Sequence, residues 1–301
     1  MEPLQAKLPP AALIAGCGDI GLRVAARLRA LGREVTAIVR DRQKAAPLQA
    51  LGAALRIEDL DAPHDAGDWP LLFWFAPPDT RGPQDARLRG WLAAQRGRIS
   101  RIVYISTSAV YGDCDGRWIA EDAPLAPRSE RGRRRADAEA ALLDWQAGGG
   151  EAVILRVPGI YGPGRLPVER LRQGLPVIRD AESPYTNRIH ADDLAGAALH
   201  AAAWGQAGRA YHVADGAPTT MADYFLRCAR LLGLPEPPQV GYDEARRLLT
   251  PAMWSFMEES KRLQTQRLRE ELHFTPRYPN LEAGLPYCLM AVPDATKGVS
   301  S

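Results

Sequence analysis

The sequence is poor in lysine, in cysteines spaced for a purpose, and in long apolar runs. Only Lys7, Lys44, Lys261 and Lys297 are lysines among its 38 basic residues, which leaves 34 arginines. Together with abundant alanine this skew reads as codon bias, so an arginine can occupy a position where lysine is more usual. The four cysteines, Cys17, Cys114, Cys228 and Cys288, lie far apart and form no CxxC pair or Cys/His cluster. Their spacing argues against a disulfide framework and a zinc site, so reduced thiols, a cytoplasmic location and no metal are expected. No stretch approaches the roughly 20 apolar residues of a membrane span. The opening MEPLQAKLPP also lacks the apolar centre of a secretion signal. A net charge of +2 gives no electrostatic case for nucleic acid or an anionic membrane as a partner.

What is present is a rhythm. At 301 residues the chain is long enough for one large α/β domain with an appended lobe. Ala11 to Ala15, Glu34 to Val39, Leu71 to Ala76, Arg101 to Ser106 and Glu151 to Val157 are near-continuous apolar runs, the pattern of strands buried on both faces of a parallel sheet. Ala54 to Ile57 reads as a further short strand. Between them, Ile20 to Leu31, Gln84 to Gln95 and Arg133 to Gln146 carry apolar residues at helical spacing. This alternation predicts a doubly wound Rossmann-type sheet with right-handed crossovers. After Pro158 the rhythm breaks into loops rich in Gly and Pro. It resumes with a helix after RIHADD, a strand at Tyr211 to Asp215 and a helix at Met221 to Leu232. The expected division is 11–158 plus about 186–215 for the sheet domain, about 159–185 plus 216–287 for a smaller interwoven lobe, and 288–301 for a flexible tail.

Gly16-Cys17-Gly18-Asp19-Ile20-Gly21 follows the first strand and opens a helix, the context in which a GxGxxG pattern carries weight. Gly16 permits the tight turn, Gly18 lets a pyrophosphate approach the backbone, and Gly21 lets the helix pack on the strand. The motif predicts a nicotinamide dinucleotide cofactor. The second strand ends in Val39-Arg40-Asp41-Arg42. Arg40, with Arg42 behind it, suits the 2′-phosphate of NADP, whereas Asp41 keeps NAD open. Asp59 and Leu60 are candidates to face the adenine, because a carboxylate can accept from its exocyclic amine.

Ser106-Thr107-Ser108-Ala109-Val110-Tyr111-Gly112, Leu155 to Gly164 (LRVPGIYGPG) and Arg188 to Ala195 (RIHADDLA) occur in that order after the Gly-rich turn. Together they resemble the extended short-chain dehydrogenases, the NAD-dependent epimerase/dehydratase family, over residues 11 to about 215 and more loosely to about 287. The resemblance implies a substrate-orienting hydroxyl at Thr107, with Ala76, Pro158 and Arg135 beside the cofactor. It also implies a small-molecule substrate such as a nucleotide sugar, and a homodimer through the helices holding 84–95 and 133–146. That family expects Tyr-x-x-x-Lys on the helix after the strand carrying Thr107, where the lysine lowers the phenol's pKa for proton exchange. The matching segment is SERGRRRADAE, and with Gly132 and Glu139 as anchors Arg131 takes the place of the tyrosine and Arg135 that of the lysine. Thr107, Arg131 and Arg135 are therefore the catalytic candidates. A guanidinium is no acid or base near neutrality, so the usual relay is missing and the sequence resembles the atypical, tyrosine-lacking members.

Tyr111, the pair Glu121 and Asp122, and His190 are the other candidates for moving a proton. Tyr111 reads as a packing residue and the loop carboxylates as solvated. His190 reads as a partner of the next helix start, which Asp192 or Asp193 would cap. The run Arg128, Arg131, Arg133, Arg134 and Arg135 is split across helix faces, which suits a phosphate-bearing metabolite or solvent better than nucleic acid. Arg165, Arg170, Arg172 and Arg188 are candidates to grip a diphosphate or are surface charges, and Trp254 and Phe256 are candidates to form a pocket wall or pack in a core. Two functions fit: an NAD(P)-dependent oxidoreductase or epimerase/dehydratase on a nucleotide sugar or small carbonyl compound, and a non-catalytic NADP(H) sensor.

Overall fold

In the computed structural model, which describes residues 3–41 and 45–291, the apolar runs form one seven-stranded sheet. Its first part runs β1 Ala11–Ala15, α1 Asp19–Ala30, β2 Glu34–Val39, β3 Ala54–Ile57, β4 Leu72–Trp74, α2 Ala86–Ala94, β5 Arg101–Thr107, α3 Glu130–Gln146 and β6 Glu151–Val157. The later elements that matter here are β7 Gly159–Tyr161, β8 Arg188–His190, α4 Ala191–Trp204, β9 Arg209–His212 and α5 Met221–Leu232. The strand order is β9-β6-β5-β4-β1-β2-β3, with every pairing parallel. This is the Rossmann order, which reverses direction between β1 and β4 and opens a crevice at their C-terminal ends.

Side chains alternate across each strand, and both faces are covered. Ile14, Phe73, Val103 and Leu155 pack with α1 and α4 on one face. Leu13, Trp74, Tyr104 and Ile154 pack with Leu88, Trp91 and Leu142 of α2 and α3 on the other. Coverage of both faces is why the strands read as unbroken apolar runs and not as alternating ones. A separate core of Tyr161, Val177, Tyr224, Phe225, Cys228, Trp254 and Leu281 builds the second lobe.

Two expectations shift, and for Trp254 one of the two open alternatives holds. The strand predicted at 211–215 lies at Arg209–His212: Val213 still donates to the Arg156 carbonyl of β6, and by Asp215 the chain has left that strand and donates to the Arg188 carbonyl of β8. Trp254 belongs to the second lobe's core. That lobe also runs past 287: Leu285–Ala291 form a 3-10 segment with Cys288 fully buried, and the rest of the predicted tail, 292–301, lies outside the described residues. Among the described residues no helix is long and apolar enough to cross a membrane.

Candidate active site

Gly16 leaves β1 with φ +80°, and a Cβ there would sit 2.3 Å from the backbone nitrogen of Ala76 beyond β4. Only glycine lets the two chain ends approach this closely at the crevice. Gly18 caps α1 without any side-chain hydrogen bond, and a Cβ on it would meet nothing within 4 Å. The first amides of a 12-residue helix are thus left uncapped beneath open space, which is what a pyrophosphate needs. A Cβ on Gly21 would touch Ile14 and Cys17, so its absence sets the helix against the strand. Ile20 is buried, and Asp19 pairs with Arg23 at 2.9 Å and with Arg165 at 2.6 Å.

Three cavities follow one another from this turn. The first, about 550 Å³, is lined by Gly16, Gly18, Arg40, Asp41, Glu58, Asp59, Leu60, Ala76 and Pro77 among others. Arg40 and Asp41 are both exposed at its rim, and Arg42 lies outside the described residues. Asp59 also accepts from the Asp61 amide at 3.0 Å, so it holds its own turn as well as facing the space. Pro77 is shared with a second cavity of about 310 Å³, lined by Ser106, Thr107, Arg131, Arg134, Arg135, Val157 and Pro158. Thr107, Arg131, Pro158 and Ile160 are shared in turn with a third, of about 370 Å³, that reaches Arg165, Tyr185, Arg188, Phe256, Glu259 and Lys261. The result is one trench whose first two chambers suit the adenosine and nicotinamide halves of a dinucleotide.

The wall of the middle chamber is α3. Ser129 caps it by accepting from the Gly132 amide at 3.2 Å. A Cβ on Gly132 would lie 2.5 Å from the Ala109 carbonyl, so the glycine brings the helix against the turn following Thr107. The hydroxyl of Thr107 accepts from the Ala109 amide at 3.3 Å. Arg131 has no hydrogen bond or ion pair among the described residues; it stacks on Phe256, 4.2 Å from the ring centroid, and burial pulls its pKa down. Arg135 donates to the Ile105 carbonyl at 2.6 Å and to the Tyr104 hydroxyl at 3.0 Å, which fixes one of its nitrogens to β5. Arg134 turns aside to the carbonyls of Thr80 and Gly82, and Arg133 to that of Arg128.

Of the four arginines expected to grip an anion, two reach the third chamber. Arg188 is 9% exposed, stacks on Tyr224 at 3.8 Å, and has no carboxylate within ion-pair distance among the described residues. Arg165 reaches the chamber while bound to Asp19. The expectation fails for the other two. Arg170 stacks on Phe225 and donates to the Pro176 carbonyl, and Arg172 pairs with Glu169 of its own helical turn at 3.0 Å. Phe256 stands at the chamber's edge.

Sequence reasoning missed Glu259 and Lys261, which pair at 2.7 Å with side chains 8% and 5% exposed. One signal was available: in a chain that uses arginine almost everywhere, a single lysine in the second lobe marks a place where a compact ammonium is preferred. Glu121 is corrected too. It is buried and accepts from the His212 amide at 3.1 Å, and burial pushes its pKa up. Asp122 is exposed and lies 3.6 Å from Arg267. Tyr111 does more than pack: its hydroxyl donates to His212 Nε2 at 2.6 Å and accepts from Arg156. His212 in turn donates from Nδ1 to the Gln264 carbonyl, and burial drives its pKa down to about 3. His190 is fully buried and itself caps α4, accepting from the Asp192 amide; Asp192 binds Arg23, and Asp193 accepts from the Arg277 and Tyr278 amides. None of these groups lines the three chambers.

A model of the NAD dependent epimerase/dehydratase family matches residues 87–214. Protein YeeZ of Escherichia coli strain K12 is 32% identical over 244 residues, covering 75% of this chain and 85% of that protein. A functionally unknown conserved protein from Silicibacter pomeroyi DSS superposes with a TM-score of 0.76 at 31% identity, covering 94% of this chain and 99% of the other. DesIV, a dTDP-glucose 4,6-dehydratase from Streptomyces venezuelae whose double mutant was solved with NAD and DAU bound, has a TM-score of 0.74 at 20% identity. It covers 93% of this chain and 96% of its own, and at that identity it speaks to the fold.

Proposed function

The chain belongs to the NAD dependent epimerase/dehydratase family, and from that premise we propose that it is an NAD(P)-dependent oxidoreductase or epimerase/dehydratase-like enzyme without the Tyr-x-x-x-Lys pair. Its substrate is an anion, a nucleotide sugar or a smaller carbonyl compound. The observation that carries this reading is the trench itself. A turn built for phosphates continues without a break into a chamber holding a buried arginine with no carboxylate within ion-pair distance among the described residues. A buried charge without a partner is costly, and an anionic ligand supplies the partner.

Gly16, Gly18 and the start of α1 hold the pyrophosphate, Arg40 the 2′-phosphate, and Ala76, Arg135 and Pro158 flank the nicotinamide side. A nicotinamide held there would supply or accept hydride. Thr107 orients the substrate oxygen, and Arg131 steadies negative charge on it without surrendering a proton. Arg188 and Arg165 hold the substrate's anionic group. Calorimetric titration with NADPH and NADH, followed by product analysis across nucleotide sugars and small carbonyl compounds, tests the reading. Binding of neither nucleotide would sink it. The position of Arg131 also favours a second reading, a sensor of the NADP/NADPH balance. NADPH binding with no turnover or epimerisation of any compound would select that one.

A further inference from the structure

Interconverting a carbinol and a carbonyl moves a proton as well as a hydride, and the residues assigned so far carry none. Arg131, Arg134 and Arg135 stay protonated. Among the described residues Thr107 has no base as a hydrogen-bond partner. Among the described residues that line the second and third chambers, the ionisable side chains other than arginine are Tyr185, Glu259 and Lys261. Tyr185 is 38% exposed with its ring against Arg262, and so belongs to the rim. Glu259 is different. One of its oxygens takes the Lys261 ammonium at 2.7 Å, while the other, Oε1, is buried with no partner among the described residues. A buried carboxylate oxygen in that state calls for a hydrogen-bond donor, which a ligand's hydroxyl supplies.

The support around the pair is rigid. Asn187, itself buried, donates to the Lys261 carbonyl at 3.0 Å and accepts from the Leu263 amide at 2.9 Å. The Ser260 amide donates to Asp113 at 2.8 Å, and the Ser260 carbonyl accepts from the amides of Cys114 and Gly116. The segment is thus fixed from both sides, and Asn187 itself lines the chamber. Glu259 and Arg131 line the same chamber, with Glu259 near enough for its charge to act on the guanidinium.

We propose that Glu259 is the proton-exchanging group of this site and that Lys261 is the positioning residue that holds it. The proposal rests on reading the trench as a hydride-transfer site. When a carbinol is oxidised, the C–H pair leaves as hydride to the nicotinamide, the O–H bond breaks, and its proton passes to Glu259 Oε1 as the carbonyl forms. Reduction runs the same exchange backwards, the proton returning to the oxygen from Glu259. Arg131 holds the oxygen's charge during the exchange.

The test uses the full chain with NADPH and a panel of aldehydes, 2-oxo acids and nucleotide sugars. Glu259→Gln is expected to lower kcat on whichever acceptor is turned over by about 100-fold or more and to remove the ionisation limb of its pH profile, with NADPH affinity kept within about twofold. Glu259→Asp should recover part of the loss. Lys261→Met should displace the limb without removing it. A readout independent of turnover is the infrared difference between the NADPH-bound and NADP-bound protein. A protonated-carboxyl band is expected to fall when the ring becomes positive, because a nearby cation favours carboxylate, and Glu259→Gln should lack it. The proposal is overturned if Glu259→Gln stays within about threefold of wild type, if the limb persists, or if cofactor-bound wild type turns over no acceptor and shows no such band. Failure of wild type to bind either nucleotide overturns the underlying reading instead.

Discussion

The two ends of the trench are held in shape by different means. At the cofactor end the turn is drawn by backbone: the Gly18 amide donates to the Gly16 carbonyl at 2.8 Å, and Gly16 abuts the backbone of Ala76. At the substrate end the shape rests on charged side chains that are buried or stacked, among them Arg131, Arg188, Glu259 and Lys261. Behind Thr107, Glu139 takes both Arg156 at 2.8 Å and the Ser106 hydroxyl. A backbone turn serves one ligand geometry, whereas a charged wall can be rebuilt for another substrate without disturbing the sheet. The first end should therefore fail through shape and the second through uncompensated charge.

The largest effect is expected where shape alone decides. Gly16→Val puts a branched side chain at φ +80° and its Cβ into the Ala76 backbone. The left-handed conformation costs about 1–2 kcal/mol. Displacing the crevice should weaken NADPH binding by more than about 100-fold, a further ~2.7 kcal/mol. Urea unfolding and NADPH titration check the two parts. A variant that binds normally would mean that the turn does not hold the pyrophosphate.

At the other end, Glu139→Gln should cost about 3 kcal/mol, because it leaves the buried Arg156 without its counter-charge. The companion change Arg156→Met should recover much of that loss, since a buried pair replaced as a unit is often neutral. Denaturation of the two single variants and the double variant measures the coupling. Additive losses would show that packing and not charge governs this end.

The same division explains what the sequence made legible. The Gly-rich turn spans six residues, and its constraints act between near neighbours, so Gly16, Gly18 and Gly21 announce themselves. The strands were readable because burial on both faces leaves an unbroken apolar run. The substrate end is assembled across distance: Asp19 meets Arg165 from 146 residues away, and Asn187 clamps Lys261 from 74 residues away. Arg188 and Arg170 stack on adjacent core aromatics, Tyr224 and Phe225, yet only Arg188 lines the chamber. Each is an arginine in a loop-rich stretch, and nothing local separates them. Glu121 looked like a solvated loop carboxylate because its partner, the His212 amide, lies 91 residues on.

A smaller effect should appear in stability against pH. Burial pushes the Asp215 carboxyl up to about 7 from its ordinary 3.8, although Arg188 pulls the other way. Between about pH 4 and pH 7 the folded chain keeps a proton that the unfolded chain has lost, so this group's contribution to stability falls as pH rises through that window and is level above it. Asp215→Asn removes the dependence. The variant should match wild type near pH 4 and exceed it near pH 8 by on the order of 2 kcal/mol, since the ionised site relaxes and admits water and so costs less than burial in a rigid one. Melting at the two pH values checks the sign. A variant less stable at pH 8 would show that the Arg188 attraction outweighs burial.

The smallest expected effect tests the exception to the comparison, the one place at the cofactor end where a side chain is asked to choose. Arg40 and Asp41 stand together at the rim of the first chamber, both exposed. An exposed guanidinium facing a phosphate is screened by water and salt, so its share is modest even where it sets preference. Arg40→Ser should weaken NADPH binding by about tenfold, near 1.4 kcal/mol, and leave NADH within about twofold. The loss should shrink as salt is raised, which a loss of shape would not do. If both nucleotides weaken equally, Arg40 supports the turn without reading the 2′-phosphate. If neither changes, the neighbouring Asp41 decides, and the preference belongs to NAD.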